Sequence, residues 1–459
     1  MVTLPRVLIA APGSGHGKTM VTTGAMAALR NRGLRVSPHK VGPDYIDPSY
    51  HAAACGRPGR NLDPFLQGTE LVAPLLVHGA CTPEPADIAV IEGVMGLFDG
   101  TIGTAGFSSS AHVATLVQAP VILVVDCAAM ARSVGAVVHG FSRYSEQLRV
   151  AGVILNNVGS PRHAAEARAG VAEAGVPVLG VIPRLPEVVV PSRHLGLVPV
   201  AERRPEALAA VEALAAMVEQ YVDLDALIDV ARTAPDLPVQ PWNPQLALGE
   251  DAGVGGGARV AVAAGAAFSF GYAETTELLT AAGAEVLTFD PLHDERLPDG
   301  AQGLLIGGGF PEVHATDLAA NTPMCRSVAD LVADGGAVVA ECAGLLYLGR
   351  ELDGLPMCGV LPVSGAMRPR LTLGYRTAVA LQDSILSPTA QQVTGHEFHR
   401  TQVVASGGAA AWGWRDSAHH PTTEGLVSGR IHASYLHVHW AGHPQLAARF
   451  VASTAEAGR

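Results

Sequence analysis

Hydrophobic residues in the first half of the chain form short apolar runs that alternate with longer segments of helical periodicity. Most of the runs are nearly continuous, which is typical of parallel strands buried on both faces. Helices are predicted between them, for example over Lys18–Arg30 and Ala164–Ala174. The predicted strands are Arg6–Ala10, Val36–Lys40, Ile88–Ile91, Val121–Val125, Gly152–Leu155 and Val178–Ile182. This order predicts a doubly wound α/β domain over residues 1–234.

Proline and glycine interrupt the pattern at residues 235–257, which we interpret as an interdomain linker. A second α/β pattern begins at Arg259, and the region Leu361–Val403 is richer in strand signals. Further predicted strands are Glu285–Phe289, Gly303–Ile306 and Ala337–Ala340. The predicted fold class is therefore α/β with two doubly wound domains, the second over residues 258–459.

The composition and net charge of the chain exclude several classes of protein. Hydrophobic residues make up 48% and charged residues 16% of the 459 residues, so the chain can bury large cores. The formal net charge of −12 argues against a general nucleic-acid binder. The six cysteines form no CxxC pair or metal-binding spacing, and neither a signal peptide nor a membrane-spanning run is evident. We expect a cytoplasmic protein without nucleic-acid or membrane partners.

The glycine-rich segment APGSGHGKT lies between the first predicted strand and the first predicted helix, which is the context of a phosphate-binding loop. Its backbone N–H groups would point at phosphate oxygens, and the helix N-terminus adds positive potential. We expect Lys18 to reach the β- and γ-phosphates and Thr19 to ligate Mg²⁺. Pro12 stands where the strict motif has glycine. The predicted nucleotide-binding glycines are Gly13, Gly15 and Gly17.

Acidic and basic residues follow the next strands. Glu92 ends one apolar run, and Asp44 and Asp47 lie just past another, where carboxylates would suit Mg²⁺. Each acid could instead cap a loop. Basic residues around them would hold an anionic substrate or simply form a solvated surface. These residues are His39, Lys40, His51, Arg57 and Arg60.

In the second half, the segment AVVAECAGLL reads as a strand, a sharp turn and a helix, with Cys342 at the turn. Small residues on either side permit a nucleophile elbow. His437 or His439, on one face of a late strand, would be its base. Gly308 and Gly309 follow another strand and are candidates for an oxyanion hole. The alternatives are a small buried cysteine and a hydrogen-bonded core histidine.

These residues carry a resemblance to a known family. The chain resembles the cobyrinic acid and hydrogenobyrinic acid a,c-diamide synthase family over nearly its whole length. Its first half is similar to dethiobiotin synthetase, a P-loop enzyme, and its second half to class I, triad-type glutamine amidotransferases. The motifs that carry the resemblance are KVGPDYIDPSYH, GRNLDP, EGVMGLFDG, GGGFPE, GHEFH and ASYLH.

The resemblance implies that two carboxylates of a corrin macrocycle, a and c, become carboxamides. Glutamine would supply the nitrogen, and ATP with Mg²⁺ would form an acyl phosphate. Matching motif positions makes Lys18 and Thr19 phosphate and metal residues, Cys342 the nucleophile and His437 its base. The other carried-over candidates are Asp44 and Glu92 for the metal, Lys40, Tyr45, Asp47, Arg57, Arg60 and Asp99 for the substrate, and Asn156 for adenine.

One departure concerns the catalytic triad. Many triad amidotransferases have a glutamate two residues after the catalytic histidine, where this chain has His439. The resemblance implies that the corrinoid branch commonly lacks this glutamate, so the third member stays open, with Glu397 as a candidate. A homodimer is the commonest assembly and is kept as the expectation.

Other functions would require fewer of these residues. A deviant P-loop partner ATPase would need no cysteine elbow, and a nucleotide-binding module with an inactive amidotransferase domain would not need the intact Cys342 and His437. Among neighbouring amidases, the GPDYIDP segment argues against cobyric acid synthase. Amidation of nickel-sirohydrochlorin or another multi-carboxylate tetrapyrrole stays open as the alternative.

Overall fold

The computed structural model describes residues 1–185, 192–193, 196–416 and 418–457. These residues fall into two compact units, Met1–Trp242 and Asn243–Arg459. Among the described residues, no helix has the length and apolar character to cross a membrane.

The first unit alternates strands and helices along most of its length. Its strands are β1 (Arg6–Ala10), β2 (Val36–Val41), β3 (Arg60–Leu62), β4 (Ile88–Glu92), β5 (Val121–Asp126), β6 (Val150–Val158), β7 (Val178–Pro183), β8 (Ser192–Arg193) and β9 (Gly196–Leu197). Its helices are α1 (Lys18–Asn31), α2 (Ile46–Cys55), α3 (Pro64–Gln67), α4 (Thr69–Cys81), α5 (Ser110–Leu116), α6 (Val134–Arg143), α7 (Pro161–Glu173), α8 (Arg204–Tyr221) and α9 (Leu224–Arg232).

Seven strands form one parallel sheet in the order β3-β2-β4-β1-β5-β6-β7. All six strands predicted for this half are present, and β1 is buried at every position, as continuous apolar runs predict. The order reverses beside β1, so the loops after β1, β2, β4 and β5 share the carboxyl edge where doubly wound sheets bind ligands. The short strand β3 was not predicted.

The segment predicted as a linker belongs to the units themselves. The buried guanidinium of Arg6 donates to the carbonyl of Pro235 at 2.6 Å, Leu237 pairs with Val2, and the Trp242 N–H donates to the Pro74 carbonyl at 2.9 Å. The glycine-rich remainder bonds within the second unit instead. The prediction of a separate linker at 235–257 is therefore wrong, because hydrogen bonds of the backbone and of buried side chains attach these residues to the folded units.

The second unit contains shorter elements. Its helices are α10 (Pro244–Leu248), α11 (Ala273–Ala281), α12 (Ala315–Ala320), α13 (Thr322–Ala333), α14 (Ala343–Leu348) and α15 (Gln445–Ala457). Its strands are β10 (Arg259–Ala263), β11 (Glu285–Phe289), β12 (Gly303–Ile306), β13 (Ala337–Glu341), β14 (Glu351–Leu352), β15 (Leu355–Pro356), β16 (Val363–Ala380), β17 (Gln392–Ala405), β18 (Trp412–Arg415), β19 (Pro421–Glu424), β20 (Leu426–Ser428), β21 (Ile431–Ser434) and β22 (His437–Val438).

Two sheets organise this unit. The first has the order β11-β10-β12-β13-β21-β20 and is parallel except for its edge strand β20. The second is built on the long antiparallel hairpin of β16 and β17, which confirms the strand-rich region expected there. The strand β22 pairs with β17, so the chain passes from one sheet to the other between β21 and β22. That crossing places His437 next to the end of β13.

Candidate active sites

The glycine-rich loop joins β1 to α1 at the carboxyl edge of the first sheet. Gly17 has a φ of 90°, and a Cβ there would lie 2.3 Å from Nδ2 of Asn156, so only glycine fits. The same Asn156 amide donates to the carbonyl of His16 at 3.0 Å. The structure therefore places Asn156, predicted to contact adenine, in contact with the loop itself.

Lys18 is the first residue of α1 and is buried. Its Nζ donates to the carbonyl of Met95 at 2.6 Å and to that of Gly13 at 3.3 Å. Burial and the neighbouring Lys40 ammonium lower the pKa of Lys18. Lys18 and Lys40 are also the two lysines of the whole chain, and both lie at this loop.

A cluster of charged side chains lies behind the loop. The Thr19 hydroxyl donates to Oε1 of Glu92 at 2.6 Å and lies 3.3 Å from Oδ2 of Asp47. The Lys40 ammonium bridges the same two atoms, at 2.7 Å from Asp47 and 2.9 Å from Glu92. The second oxygen of Glu92 lies 2.7 Å from Nε2 of His51. Register explains the convergence, because Lys40 of β2 is paired with Glu92 of β4.

Burial and charge compete in this cluster. Burial raises the pKa of Glu92, but the Lys40 ammonium and the bonds from His51 and Thr19 outweigh burial and hold it well below its usual range. Burial lowers the pKa of Lys40, but Asp47 and Glu92 raise it more, so the ammonium stays charged. Burial and the nearby Asp44 raise the pKa of Asp47. A raised pKa favours the protonated form of Asp47, so the Lys40 ammonium and the Glu92 carboxylate form the charged part of the cluster.

The donor set fits Mg²⁺. This ion takes oxygen ligands, usually one or two carboxylates, with phosphate oxygens and waters completing its shell. Thr19, Asp47 and Glu92 offer a hydroxyl and two carboxylates around one point, and the Lys40 ammonium already stands there as a cation. In the described part of the chain, no group of three or more His, Cys, Asp and Glu residues is arranged to hold a metal by itself.

The contacts of Asp44 and Asp47 favour the reverse of the roles predicted for them. Asp44, predicted as a metal ligand, accepts hydrogen bonds from the N–H groups of Ile46 and Asp47 at 2.8 and 3.1 Å. It therefore caps the start of α2, which was its alternative interpretation. Asp47, predicted on the substrate side, is the carboxylate that lies beside Thr19. Tyr45 precedes α2 and is buried.

Strand alternation separates the basic residues that cluster in the sequence. Arg60 pairs with His39, and a Cβ on Gly79 of α4 would contact both side chains, so both face α4. Lys40, one position along, points to the other face of the sheet. Arg57 donates to the carbonyls of Gly79, Thr82 and Glu84. The prediction that Arg57 and Arg60 share one substrate site with Lys40 is therefore wrong.

Asp99 lies in the loop after β4, close to the glycine-rich loop. A Cβ on Gly96 would lie 2.4 Å from Oδ2 of Asp99 and 2.7 Å from the carbonyl of Pro12. Oδ2 accepts the Gly96 N–H at 2.9 Å, and the residue is exposed. This position beside the phosphate loop keeps Asp99 as a substrate-side candidate.

In the second unit, Cys342 stands at the sharp turn between β13 and α14. It has a φ of 50° and a ψ of −99°, a strained backbone for a residue with a side chain. Its N–H donates to the carbonyl of Ser434 at 2.7 Å, which ties the turn to β21. Burial and the carboxylate of Glu312 raise the pKa of Cys342 above its usual value, while the N–H of Ala343 lowers it. The thiol is neutral in this environment.

His437 lies against the same turn. It is 1% exposed, and its Nδ1 lies 3.7 Å from Oε2 of Glu341, the residue before Cys342. A Cβ on Gly308 would lie 2.5 Å from its Cε1, and the Gly344 N–H donates to the carbonyl of Gly307 at 3.2 Å. One glycine loop therefore borders both the histidine ring and the cysteine turn, as the prediction of a joint site requires.

The oxyanion prediction needs one correction. The Gly308 N–H donates to the carbonyl of Phe270 at 3.2 Å, so it is engaged in a backbone bridge. Gly309 has no such bond within the described residues, and a Cβ there would lie 2.0 Å from the Ala267 carbonyl. Gly309 stays a candidate donor to the oxyanion. The Ala343 N–H lies at the Cys342 sulfur and is a second candidate donor, which the sequence did not indicate.

The remaining polar candidates of this unit lie elsewhere. Glu397 accepts from Arg376 at 2.7 Å and lies 3.6 Å from His399, so its prediction as a triad member is wrong. His439 is fully buried, with Nε2 at 3.6 Å from Oε2 of Glu274. The ring of His396 stacks on that of His437 at 4.9 Å. His396 belongs to a motif quoted above, but no pattern signalled this contact.

Comparison with known proteins agrees with this geometry. Residues 7–198 match the family described as the CobQ/CobB/MinD/ParA nucleotide binding domain, and residues 259–445 match the CobB/CobQ-like glutamine amidotransferase domain. The fold and the two sites thus define a protein that joins a nucleotide-binding P-loop domain to a glutamine amidotransferase domain.

Relatives align with both domains at once. A hydrogenobyrinate a,c-diamide synthase of Streptomyces coelicolor is 56% identical, over 98% of this chain and 97% of the relative. The enzyme of the same name from Thermobifida fusca is 52% identical over the same shares. A cobyrinate a,c-diamide synthase of Gloeobacter violaceus is 43% identical over 97% of this chain and 96% of its own length. The chain belongs to the cobyrinate and hydrogenobyrinate a,c-diamide synthase family.

Proposed function

We propose that the chain is an ATP- and glutamine-dependent amide synthase that converts the a and c carboxylates of hydrogenobyrinic or cobyrinic acid into carboxamides. The observation that carries the proposal is the full-length similarity to enzymes with these names, because it includes both candidate sites. A corrinoid polycarboxylate and glutamine are the ligands it requires. A homodimer in the cytoplasm stays the expected form.

The first unit would activate the carboxylate. Backbone N–H groups of the loop and the Lys18 ammonium bind the ATP phosphates, and a substrate carboxylate oxygen attacks the γ-phosphorus to give an acyl phosphate and ADP. Thr19, Asp47 and Glu92 would hold Mg²⁺, which neutralises phosphate charge. Lys40 holds both carboxyl groups in place and keeps Glu92 ionised. Ammonia then attacks the acyl carbon, and phosphate leaves.

The second unit would release that ammonia. The Cys342 sulfur attacks the carboxamide carbon of glutamine while its proton passes to His437. The Gly309 and Ala343 N–H groups stabilise the oxyanion. His437 returns the proton to the leaving nitrogen as the C–N bond breaks, which gives ammonia and a thioester. Water then hydrolyses the thioester to glutamate and restores the thiol.

Mass spectrometry of the product tests the substrate directly. Purified protein is incubated with ATP, Mg²⁺ and glutamine and with hydrogenobyrinic acid, cobyrinic acid or nickel-sirohydrochlorin in turn. The proposal expects a corrin product lighter by the mass change of two carboxylate-to-amide conversions. Diamidation of the nickel tetrapyrrole alone would establish the alternative substrate, and no amide from any of the three would contradict the proposal.

A further inference from the structure

The proposed catalytic histidine of the second unit lies beside a carboxylate other than the one that many triad amidotransferases have two residues after their histidine. His437 Nδ1 is 3.7 Å from Oε2 of Glu341, and the Glu341 side chain is 16% exposed. Strands β13 and β21 are parallel neighbours with Glu341 in register with Ser434, three residues before His437. The carboxylate therefore comes from the strand that carries the nucleophile, and the histidine follows the neighbouring strand.

Other carboxylates of this region have different partners. Glu274 lies 3.6 Å from His439, and Glu397 is paired with Arg376. Glu424 accepts from the Ser434 hydroxyl and, at 2.7 Å, from the Tyr435 N–H. Glu341 and Glu274 each lie at nearly the same distance from a buried histidine. Glu397 lies 3.6 Å from His399 as well, so the described part of this unit contains three such pairs, and that of Glu341 includes the proposed base.

We propose that Glu341 is the positioning residue of His437 and takes the part of the third triad member in this chain. Its carboxylate orients the ring so that Nδ1 faces Glu341 and Nε2 is directed away from it for proton transfer with Cys342. When the thiol proton moves to His437, the carboxylate of Glu341 stabilises the imidazolium. The proton then leaves with ammonia, so Glu341 neither gains nor loses one.

Two neighbours of His437 cannot stabilise its imidazolium form. Burial lowers the pKa of His396, whose ring stacks on His437, so this neighbour is neutral and cannot balance an imidazolium. Cys342 is buried and meets carboxylates rather than cations. The titratable groups around the pair come from several elements and are Glu312, Glu341, His396, Glu424 and His439 with Glu274.

The test compares Glu341→Gln with Glu274→Gln in the full-length protein, measuring glutaminase kcat and KM. The inference rests on the proposed roles of Cys342 and His437. We expect Glu341→Gln to lower kcat on the order of 10²-fold, with KM for glutamine little changed, because the base is misoriented rather than the site lost. Glu274→Gln should stay within about threefold of the wild type. Glu341→Asp, which keeps the charge, should recover part of the loss.

Alkylation of Cys342 by iodoacetamide across a pH series gives an independent readout. The Glu341 carboxylate also raises the pKa of Cys342, but it lies directly beside His437, and the inference expects its effect on the imidazolium to dominate. The alkylation rate of Glu341→Gln should therefore rise at a higher pH than that of the wild type. A wild-type kcat and alkylation profile in Glu341→Gln, or an equal loss in Glu274→Gln, overturns the inference. If Cys342→Ala or His437→Ala keeps glutaminase activity, the proposed function of the site fails instead.

Discussion

The two candidate sites of this chain solve opposite electrostatic problems. At the phosphate loop, the Lys40 ammonium and the Glu92 carboxylate are charged and joined by a short bond before any ligand arrives, with Asp47 beside them. At the cysteine turn, the thiol is neutral, and the stacked His396 is neutral as well. Both sites are buried, so burial does not explain the difference. The partners explain it, because the first site places the oppositely charged Lys40 and Glu92 in direct contact.

The difference follows from the chemistry proposed for each site. Phosphoryl transfer needs positive charge in place around oxygens that are already anionic, so a preformed charged cluster lowers its barrier. Thiol attack on an amide needs charge only during the reaction, and a neutral resting pair creates it by one proton transfer. A substitution should therefore have different consequences at the two sites.

The largest expected effect is that of Cys342→Ala on the use of glutamine. Without the sulfur no thioester forms, so glutamine-dependent amidation should fall by more than about 10⁴-fold. Amidation with ammonium chloride should stay near the wild-type rate, because the first unit keeps its cluster. Both rates are measured by chromatography of the amide products. Loss of both activities in a folded variant would count against two separate sites.

Lys18→Ala should instead affect both nitrogen sources. Removing a preorganised cation from the transferring phosphoryl group costs on the order of 10²–10³ in rate. Glutaminase activity measured without ATP serves as the control and should be unchanged. Substantial ATP-dependent amidation in this variant would refute the role of the loop.

The same comparison can be made by chemical labelling. An acyl-phosphate derivative of ATP acylates lysines near the bound phosphates, and the chain has two lysines. Lys18, whose pKa is lowered, should be labelled in preference to Lys40, whose pKa is raised by its ion pairs. Peptide mass spectrometry with and without excess ATP measures this preference.

Glu92→Gln should reveal the cost of the preformed charges in stability. The substitution removes the anion beside His51 and one of the two acidic partners of buried Lys40, and breaking a buried pair costs about 3 kcal/mol in the free energy of unfolding. The folded pKa of Glu92 is depressed, so its contribution is complete above the unfolded value of about 4.3 and is lost as the pH falls below it.

Denaturant unfolding of the full chain at pH 7 and at lower pH measures this effect. The gap between wild type and Glu92→Gln should narrow as the pH falls. Glu166→Gln is the matched control, because Glu166 forms an exposed pair with Arg132 at 3.7 Å, and it should change stability by less than about 1 kcal/mol. A difference in stability between wild type and Glu92→Gln that does not change with pH would show that the charge of Glu92 is not its cause.

The smallest expected effect separates Asp44 from Asp47. Asp44→Asn keeps an acceptor oxygen for the cap of α2, so it should leave Mg²⁺-ATP affinity within about twofold of the wild type. Asp47→Asn removes a carboxylate beside Thr19 and should weaken that affinity more. Isothermal titration with Mg²⁺-ATP compares them. The reverse order would restore the original assignment of Asp44 to the metal.

Sequence reasoning succeeded where one strand or one turn decides the outcome. The apolar run of β1, the glycine loop after it and the small residues around Cys342 are local patterns, and the structure has each of them. It failed where registers between strands decide. The separation of Arg60 from Lys40 depends on the pairing of β3 with β2, and no periodicity in the sequence carries that information.

Local capping caused the other errors. Asp44 and Asp47 both follow the end of the same strand, and only the start of α2 shows which of them is used by the backbone. Gly308 and Gly309 are equivalent in the sequence, but a bridge to Phe270 engages the first. The contact of Glu341 with His437 joins residues nearly a hundred positions apart, so the position of Glu341 beside Cys342 in the sequence does not indicate it.

Oxygen-isotope transfer tests the central claim most directly, namely that the charged site activates a carboxylate for ammonia made at the neutral site. The corrinoid is labelled with ¹⁸O in its carboxylates and incubated with ATP, Mg²⁺ and glutamine. An acyl phosphate predicts one ¹⁸O atom in the inorganic phosphate for each amide formed, with ADP as the nucleotide product. Unlabelled phosphate, or ¹⁸O recovered in AMP, would contradict the account.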